Sequence, residues 1–372
     1  MAKYRIAILP GDGVGRDVME AARIVLDALR LDAEYRTGEI GWECWCKEGN
    51  ALPDRTVEFL RGTDVCLFGA ITSKPAEEAE AELAPLLKGK GLKYFSPIVQ
   101  LRQLFDLYTN LRPCKAYPGN PLNWRDTIDW VVFRENTEGL YSGIEFHPVP
   151  PEIMDDFVKF SAKAKRFAAT APEDMAVTVR LITRKGAERI VRAAFNYARR
   201  YKRKSVTLVE KPNVLRETSG LMTRVARKVA AEFPEILFQE ANIDAMCMWL
   251  LKNPDNYDVI VTSNMFGDIL SDLCAQLVGG LGFASSGNIG DRYAVFEPTH
   301  GSAPKYAGQY KVNPMAMLLT VRLMLDWLNE SAMARKLEEA IAAVLREGKA
   351  RTYDMGGTNT TLEVAEAVAR KF

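Results

Sequence analysis

The 372 residues carry 49 lysines and arginines against 48 aspartates and glutamates, a formal net charge of +1, with 48% hydrophobic and 26% charged residues. That length supplies about two to three domains' worth of chain and a large buried core. A near-neutral balance provides no field to gather nucleic acid or a membrane surface, so an anionic ligand must be met by locally clustered basic residues. No apolar run approaches the roughly 20 residues that span a bilayer. "MAKYRIAIL" enters a strand pattern at once, leaving no room for a signal peptide. Six cysteines, at 44, 46, 66, 114, 247 and 274, lack CxxC spacing. The lone CxC of Cys44 and Cys46 reads as packing, and the chain as a reduced, cytoplasmic protein. Only His147 and His300 are present, so proton transfer falls to Lys, Tyr, Asp or Glu.

In chain order, short apolar runs predict strands over 5–9, 65–69, 130–134, 175–181, 205–210, 236–240, 259–263 and 294–297. Amphipathic periodicity predicts helices over 17–29, 183–201, 220–233, 266–277, 314–328 and 332–346. The alternation is that of an α/β protein. Residues 145–172 contain "HPVPPE", whose prolines interrupt both kinds of element, and read as an arm-like excursion. Residues 279–313, rich in Gly, Ser and Pro, read as long functional loops. The opening "YRIAILPGDGVGRDVME" predicts strand, glycine turn and helix. Its glycines, however, follow GxGxG and not the GxGxxG that seats a pyrophosphate on a helix N-terminus.

Four constellations could carry chemistry. In "SNMFGDILSD" (263–272), Ser263 or Asn264 can cap a helix that places Asp268 and Asp272 at i and i+4 on one side. Like charges at that spacing cost an isolated helix about 0.2–0.5 kcal/mol. A hard divalent cation such as Mg²⁺ or Mn²⁺ reverses the sign. Arg102, Arg112 and Arg134 fall within "LRQLFDLYTNLRP" and "VVFRENTEGLYSG", and three guanidinium forks suit a polycarboxylate. The plain alternative is salt bridging to Asp106, Glu135 or Glu138. Lys211, ending the strand pattern of "LVEKPNVLRETSG", can act as a base in a site that favours its neutral form, with Tyr141 as acid counterpart. The loop "EPTHGSAPKYAGQYKVNP" (297–314) offers backbone donors, Lys305 and Lys311 to a phosphate or adenine.

Together these segments resemble the metal-dependent decarboxylating dehydrogenases of 3-substituted malates, which include isocitrate, homoisocitrate, 3-isopropylmalate and tartrate dehydrogenases. The resemblance covers nearly the whole chain in order: "LPGDGVG", "LRQLFDLYTNLRP", "RENTEGLYSGIE", "EKPNVL", "IDAM", "NMFGDILSD", "GNIGD" and "FEPTHGSAPKYAG". It implies an isopropylmalate-dehydrogenase-like two-domain fold in place of a conventional Rossmann fold. Residues 1–107 plus 280–372 would form a large cofactor-binding domain. Residues 108–279 would form a small domain with the substrate and metal residues, the dimer interface and the arm. By resemblance Asp268 and Asp272 are metal ligands, joined by Asp244 of the partner subunit. Arg102, Arg112 and Arg134, with Ser96 and Asn213, grip the substrate. Tyr141 is the general acid, and Lys211, contributed across a homodimer, is the base.

The same resemblance places the cofactor on His300, Gly301, Lys305, Tyr306, Val312, Asn313 and Tyr353, far from the N-terminal turn, which would lie beside the nicotinamide end. NAD-using members usually show "GSAPDIAG"; here "GSAPKYAG" and Tyr353 of "RTYD" resemble the NADP-using isocitrate enzymes. A lysine attracts a 2′-phosphate that an aspartate repels. One departure is Gly357, where those enzymes carry an arginine. For the substrate, "SPIVQLR" keeps Ser96 but has Ile98 where the isocitrate pattern has asparagine. The NADP-like loop pulls toward isocitrate and Ile98 pulls away from it, and the ranking is isocitrate, then homoisocitrate, then 3-isopropylmalate. A non-catalytic regulatory subunit is the alternative of another class, though such subunits tend to lose the residues retained here.

Overall fold

The order of ten strands in one mixed sheet decides where a ligand can sit. In the computed structural model, which describes residues 2–372, the strands are β1 (Tyr4–Gly11), β2 (Ala33–Thr37), β3 (Val65–Ala70), β4 (Thr109–Lys115), β5 (Asp129–Glu135), β6 (Glu145–Phe146), β7 (Val177–Thr178), β8 (Ser205–Glu210), β9 (Leu237–Asn242), β10 (Val259–Thr262), β11 (Ser285–Ile289) and β12 (Ala294–Pro298). The main sheet runs β2-β1-β3-β12-β11-β4-β5-β10-β8-β9, and β6 pairs with β7 apart from it. Its first five strands come from the two ends of the chain and its last five from the middle. Both flanks are parallel, while β12, β11, β4 and β5 are antiparallel neighbours at the centre.

The helices are α1 (Gly15–Leu29), α2 (Trp42–Glu48), α3 (Asp54–Arg61), α4 (Ala76–Ala81), α5 (Pro97–Leu104), α6 (Pro151–Phe160), α7 (Arg184–Arg200), α8 (Thr218–Ala230), α9 (Ile243–Lys252), α10 (Asn264–Gln276), α11 (Met315–Trp327), α12 (Ser331–Glu347) and α13 (Thr361–Ala369). On one face a continuous apolar core joins α1, α7, α8 and α11–α13 to side chains such as Ile6, Leu67, Phe133 and Phe296. On the other, apolar packing breaks in two. One cluster lies around Leu9, Leu101 and Val295, the other around Val132, Met246 and Leu270. The strand period of two places Asn288, Asn110, Arg112, Arg134 and Glu297 on this second face, between the clusters. The register sets Asn288 opposite Asn110 and Asn110 opposite Arg134. The gap in the hydrophobic packing is a polar row.

Several sequence expectations are corrected. The helix α6 forms within the proline-rich excursion because Pro151 occupies its first turn, where no backbone N–H is needed. It buries none of its residues. The strand expected over 175–181 shrinks to Val177–Thr178. Strands β4 and β11 lie outside the predicted set, since "TNLRPCK" and "SSGNI" lack an apolar period, and both take their place by pairing with neighbours.

The glycine turn is occupied by the protein's own backbone. A Cβ on Gly11 would lie 2.0 Å from the Ala70 carbonyl oxygen, and one on Gly13 would lie 2.1 Å from that of Ser302. The Asp12 and Val14 N–H groups already donate to Ala70 and Ser302, both at 2.8 Å. These donors are spent, so the turn is no phosphate cradle. The contact also corrects the expectation that the turn lies far from the 297–313 loop: the two pack directly together.

Candidate active site

Arg134, the last residue but one of β5, has its side chain buried, and its Nη1 donates to Asp268 Oδ1 at 2.5 Å. The Asn264 side-chain oxygen accepts from Arg134 Nε at 3.0 Å and from its Nη2 at 2.8 Å. Arg112 on β4 donates to Asp272 at 3.1 Å and to Ser271 Oγ at 2.7 Å, and lies 3.5 Å from Asp268. Tyr141 completes the group, its hydroxyl donating to Asp268 Oδ2 at 2.8 Å. These arginines ignore the acids nearest in sequence; Arg189 takes Asp106 and Glu135 instead.

Electrostatics defines what this cluster lacks. Burial lowers the Arg134 pKa to about 9, with the like charges of Arg112 and Arg102 adding to the effect. Arg102 is likewise pushed down, first by burial. Asp268 is itself half-buried, which opposes its charge, yet Arg134 and Arg112 hold its carboxyl below the usual range. Burial, with the Asp268 hydrogen bond and charge, pushes the Tyr141 phenol up, so it stays protonated. Three crowded guanidiniums favour added anionic charge, and Asp268 and Asp272, the latter pushed up by burial against the opposing charge of Arg112, supply hard oxygen donors. A polycarboxylate on the arginines would free Asp268 and Asp272 for a divalent cation, so the donor set fits the metal implied by the resemblance.

Sequence reasoning missed the amides that aim the arginines. Asn288 Oδ1 accepts from Arg102 Nε at 2.9 Å and from Asn110 Nδ2 at 2.9 Å, while Asn110 Oδ1 accepts from Arg112 Nε at 2.7 Å. Asn288 Nδ2 donates to Glu297 at 2.8 Å, and Arg102 reaches that carboxylate at 3.4 Å. The sequence signals for them are Asn110 within "LRQLFDLYTNLRP" and Asn288 within "GNIGD". Ser263 is the N-cap of α10 by position, yet its hydroxyl accepts from Arg180 at 2.9 Å and makes no cap bond. Ser96 is the half-buried N-cap of α5, with no side-chain cap bond. Ile98 packs in the apolar cluster with Leu101 and Leu107, so its burial is explained without a substrate.

Lys211 and Asp244 are not brought to this cluster. They form their own ion pair, Lys211 just after β8 and Asp244 in the first turn of α9, with side-chain exposures of 22% and 67%. The Lys211 ammonium holds the Asp244 carboxyl below the usual range. Asn213 stands exposed in the turn after Lys211.

The loop after β12 forms a third group. His300 Nδ1 lies 3.0 Å from the Gly301 carbonyl, an acceptor, so this nitrogen carries the proton. Nε2 is then a buried acceptor with no partner among the described residues, and the buried Thr299 hydroxyl has none there either. Such orphaned atoms fit a hydrogen-bonding ligand like the ribose or adenine of a dinucleotide. The Lys305 ammonium lies 4.8 Å from the Tyr306 ring centre, and the Tyr306 and Tyr353 rings are 6.0 Å apart. Gly301 is exposed and Val312 half-buried. Asn313 is committed internally, bonding Asp354 and the Met315 N–H, both at 3.0 Å. A Cβ at Gly357 would meet the Arg351 carbonyl oxygen at 2.1 Å, so no arginine fits there with this backbone.

Residues 5–368 match the isocitrate/isopropylmalate dehydrogenase family. The chain belongs to this family of metal-dependent, decarboxylating hydroxy-acid dehydrogenases. It is 42% identical to 3-isopropylmalate dehydrogenase of Archaeoglobus fulgidus, with 98% of each chain covered. It is also 42% identical to an isocitrate/homoisocitrate dehydrogenase of Thermus thermophilus, over 98% of this chain and 97% of that one. Protein DlpA of Legionella pneumophila is 40% identical over 98% of this chain, which spans only 58% of DlpA's length. Among solved structures, isocitrate dehydrogenase from Methylococcus capsulatus superposes with a TM-score of 0.84 at 37% identity, covering 99% of both chains. No helix among the described residues is long and apolar enough to cross a membrane.

Proposed function

We propose that this protein oxidatively decarboxylates a 3-substituted malate, with isocitrate preferred over homoisocitrate and 3-isopropylmalate, and with NADP preferred over NAD. The observation that carries the reading is the buried arginine triad set against the Asp268–Asp272 pair and Tyr141. Lys305, Tyr306 and Tyr353 support the 2′-phosphate.

Arg102, Arg112 and Arg134 bind the malate carboxylates, with Ser96 and Asn213 beside them. Asp268, Asp272 and Asp244 of the partner subunit would hold Mg²⁺ or Mn²⁺. Such an ion supplies Lewis-acid polarisation of the substrate's hydroxyl and carboxylate oxygens. Lys211 of the partner subunit takes the hydroxyl proton as the C2 hydride leaves. After carbon dioxide departs, Tyr141 returns a proton to C3. His300, Gly301, Lys305, Tyr306, Val312, Asn313 and Tyr353 form the cofactor site. Residues 1–107 plus 280–372 and residues 108–279 act as the two domains on either side of the cleft. The homodimer is supported by the separation of Lys211 and Asp244 from the arginine cluster. It is further supported by exposed Met248, Trp249, Leu251 and Ile269 on α9 and α10. Six free cysteines suit a reducing cytoplasm.

The test is a grid of isocitrate, homoisocitrate and 3-isopropylmalate against NAD and NADP with Mg²⁺ or Mn²⁺, read by reduced-cofactor absorbance. The highest kcat/KM is expected for isocitrate with NADP. A preference for NAD of about tenfold or more would refute the role of Lys305 and Tyr306.

A further inference from the structure

Behind both half-sites lies one ion pair that neither uses. Glu210, the last residue of β8, is 1% exposed in its side chain, and Arg180 is 13% exposed. Arg180 Nη2 donates to Glu210 Oε2 and to Ser263 Oγ, both at 2.9 Å. Its Nη1 donates to Thr218 Oγ1 at 2.7 Å and to Ser219 Oγ at 3.1 Å. Glu210 accepts in turn from the Ser263 backbone N–H at 3.0 Å and from the Ser219 hydroxyl at 2.5 Å. Ser219 Oγ also accepts from the Lys211 N–H at 3.4 Å, and the Phe266 ring covers the guanidinium at 5.1 Å.

Glu210 and Ser263 each stand at the end of an element next to machinery. Glu210 precedes Lys211. Ser263 begins α10, which bears Asp268 and Asp272. Thr218 and Ser219 open α8. Arg180 itself is fixed next to the Tyr141 turn by the Gly139 N–H donating to the Leu181 carbonyl at 2.8 Å. A buried pair is a poor source of net stability, because desolvation opposes the attraction, but its fork geometry fixes direction.

We infer that Arg180 and Glu210 are positioning residues that set Lys211 and the Asp268–Asp272 helix together, and thereby tie the two active sites of a dimer to one another. This rests on the shared-site reading above: Lys211 of one chain serves the partner's site, while Asp268 and Asp272 serve their own. A single misplaced Arg180–Glu210 pair therefore disturbs both sites.

The experiment uses hybrid dimers isolated through two affinity tags. A wild-type/Asp268→Asn hybrid keeps one intact site and half the activity. A wild-type/Glu210→Gln hybrid falls well below half. The metal-free Glu210→Gln protein binds Mn²⁺ about tenfold more weakly by titration. Half activity in the second hybrid, or unchanged Mn²⁺ affinity, overturns the inference. Failure of the shared-site reading is seen separately, as no activity in a Lys211→Ala/Asp268→Asn hybrid. Should Glu210→Gln not fold, Ser219→Ala keeps both charges and the bonds of the pair to Ser263, and removes the one hydroxyl that Arg180, Glu210 and the Lys211 N–H share. Its kcat is expected to fall by about 3–10-fold with Mn²⁺ affinity unchanged. An unchanged kcat in that variant also overturns the inference.

Discussion

The arginine–aspartate cluster and the Lys211–Asp244 pair are built on opposite terms. In the first, the Arg134 side chain is 2% exposed, and amides on β4, β11 and α10 leave each guanidinium one direction. In the second, a charge after a strand and one at a helix start meet each other, with the Asp244 side chain 67% exposed. Preorganisation of this kind suits the group that must recognise an anion. A half-buried lysine paired only with an exposed aspartate suits a group whose working partners arrive from elsewhere.

The largest expected effects break this comparison apart. Asp268→Asn and Lys211→Ala should each lower kcat by about 10²–10⁴-fold, measured at saturating substrate and cofactor. They should differ in stability. Asp268→Asn leaves Arg134 buried without its counter-charge and costs about 1–3 kcal/mol in urea unfolding, whereas Lys211→Ala leaves the unfolding midpoint unchanged. Equal destabilisation by both would erase the distinction between the regions.

Next in size, Lys305→Asp combined with Tyr306→Ile should shift the NADP/NAD ratio of kcat/KM toward NAD by about 10–100-fold, the worth of one charge-assisted hydrogen bond. Asn288→Leu tests whether the amides aim the arginines. The KM for the acid should rise about tenfold while that for the cofactor holds. The smallest effect concerns pH. Burial lowers the His300 pKa from its ordinary 6.5, so the unfolded chain binds the proton more readily than the folded one. Stability should therefore fall as pH drops below 6.5 and level off once the folded pKa is passed. His300→Gln should flatten that slope in unfolding curves taken from neutral to mildly acidic pH.

The legible parts of the molecule are those written in local period. Strand β5 running into Arg134, and α10 with its two aspartates one turn apart, follow from patterning and from the tendency of ligands to gather at strand ends. The amide row is not legible, because "SSGNI" reads as a turn until β4 and β12 pair with it. Helix α6 is hidden by prolines that start it instead of breaking it. The packing of Gly13 on Ser302 joins positions nearly the whole chain apart, and no local signal encodes it. Ile98, which the motif comparison sets against a substrate, is occupied with core packing.

The central claim, that each chain carries complementary halves of two sites, is tested most directly by mixing two inactive proteins. Lys211→Ala and Asp268→Asn chains are unfolded together, refolded and assayed against each variant treated alone. The account predicts that activity returns only in the mixture, in the hybrid dimer where one site regains a native Lys211 and native aspartates. A mixture as inactive as its components, with hybrid dimers demonstrably formed, would contradict it.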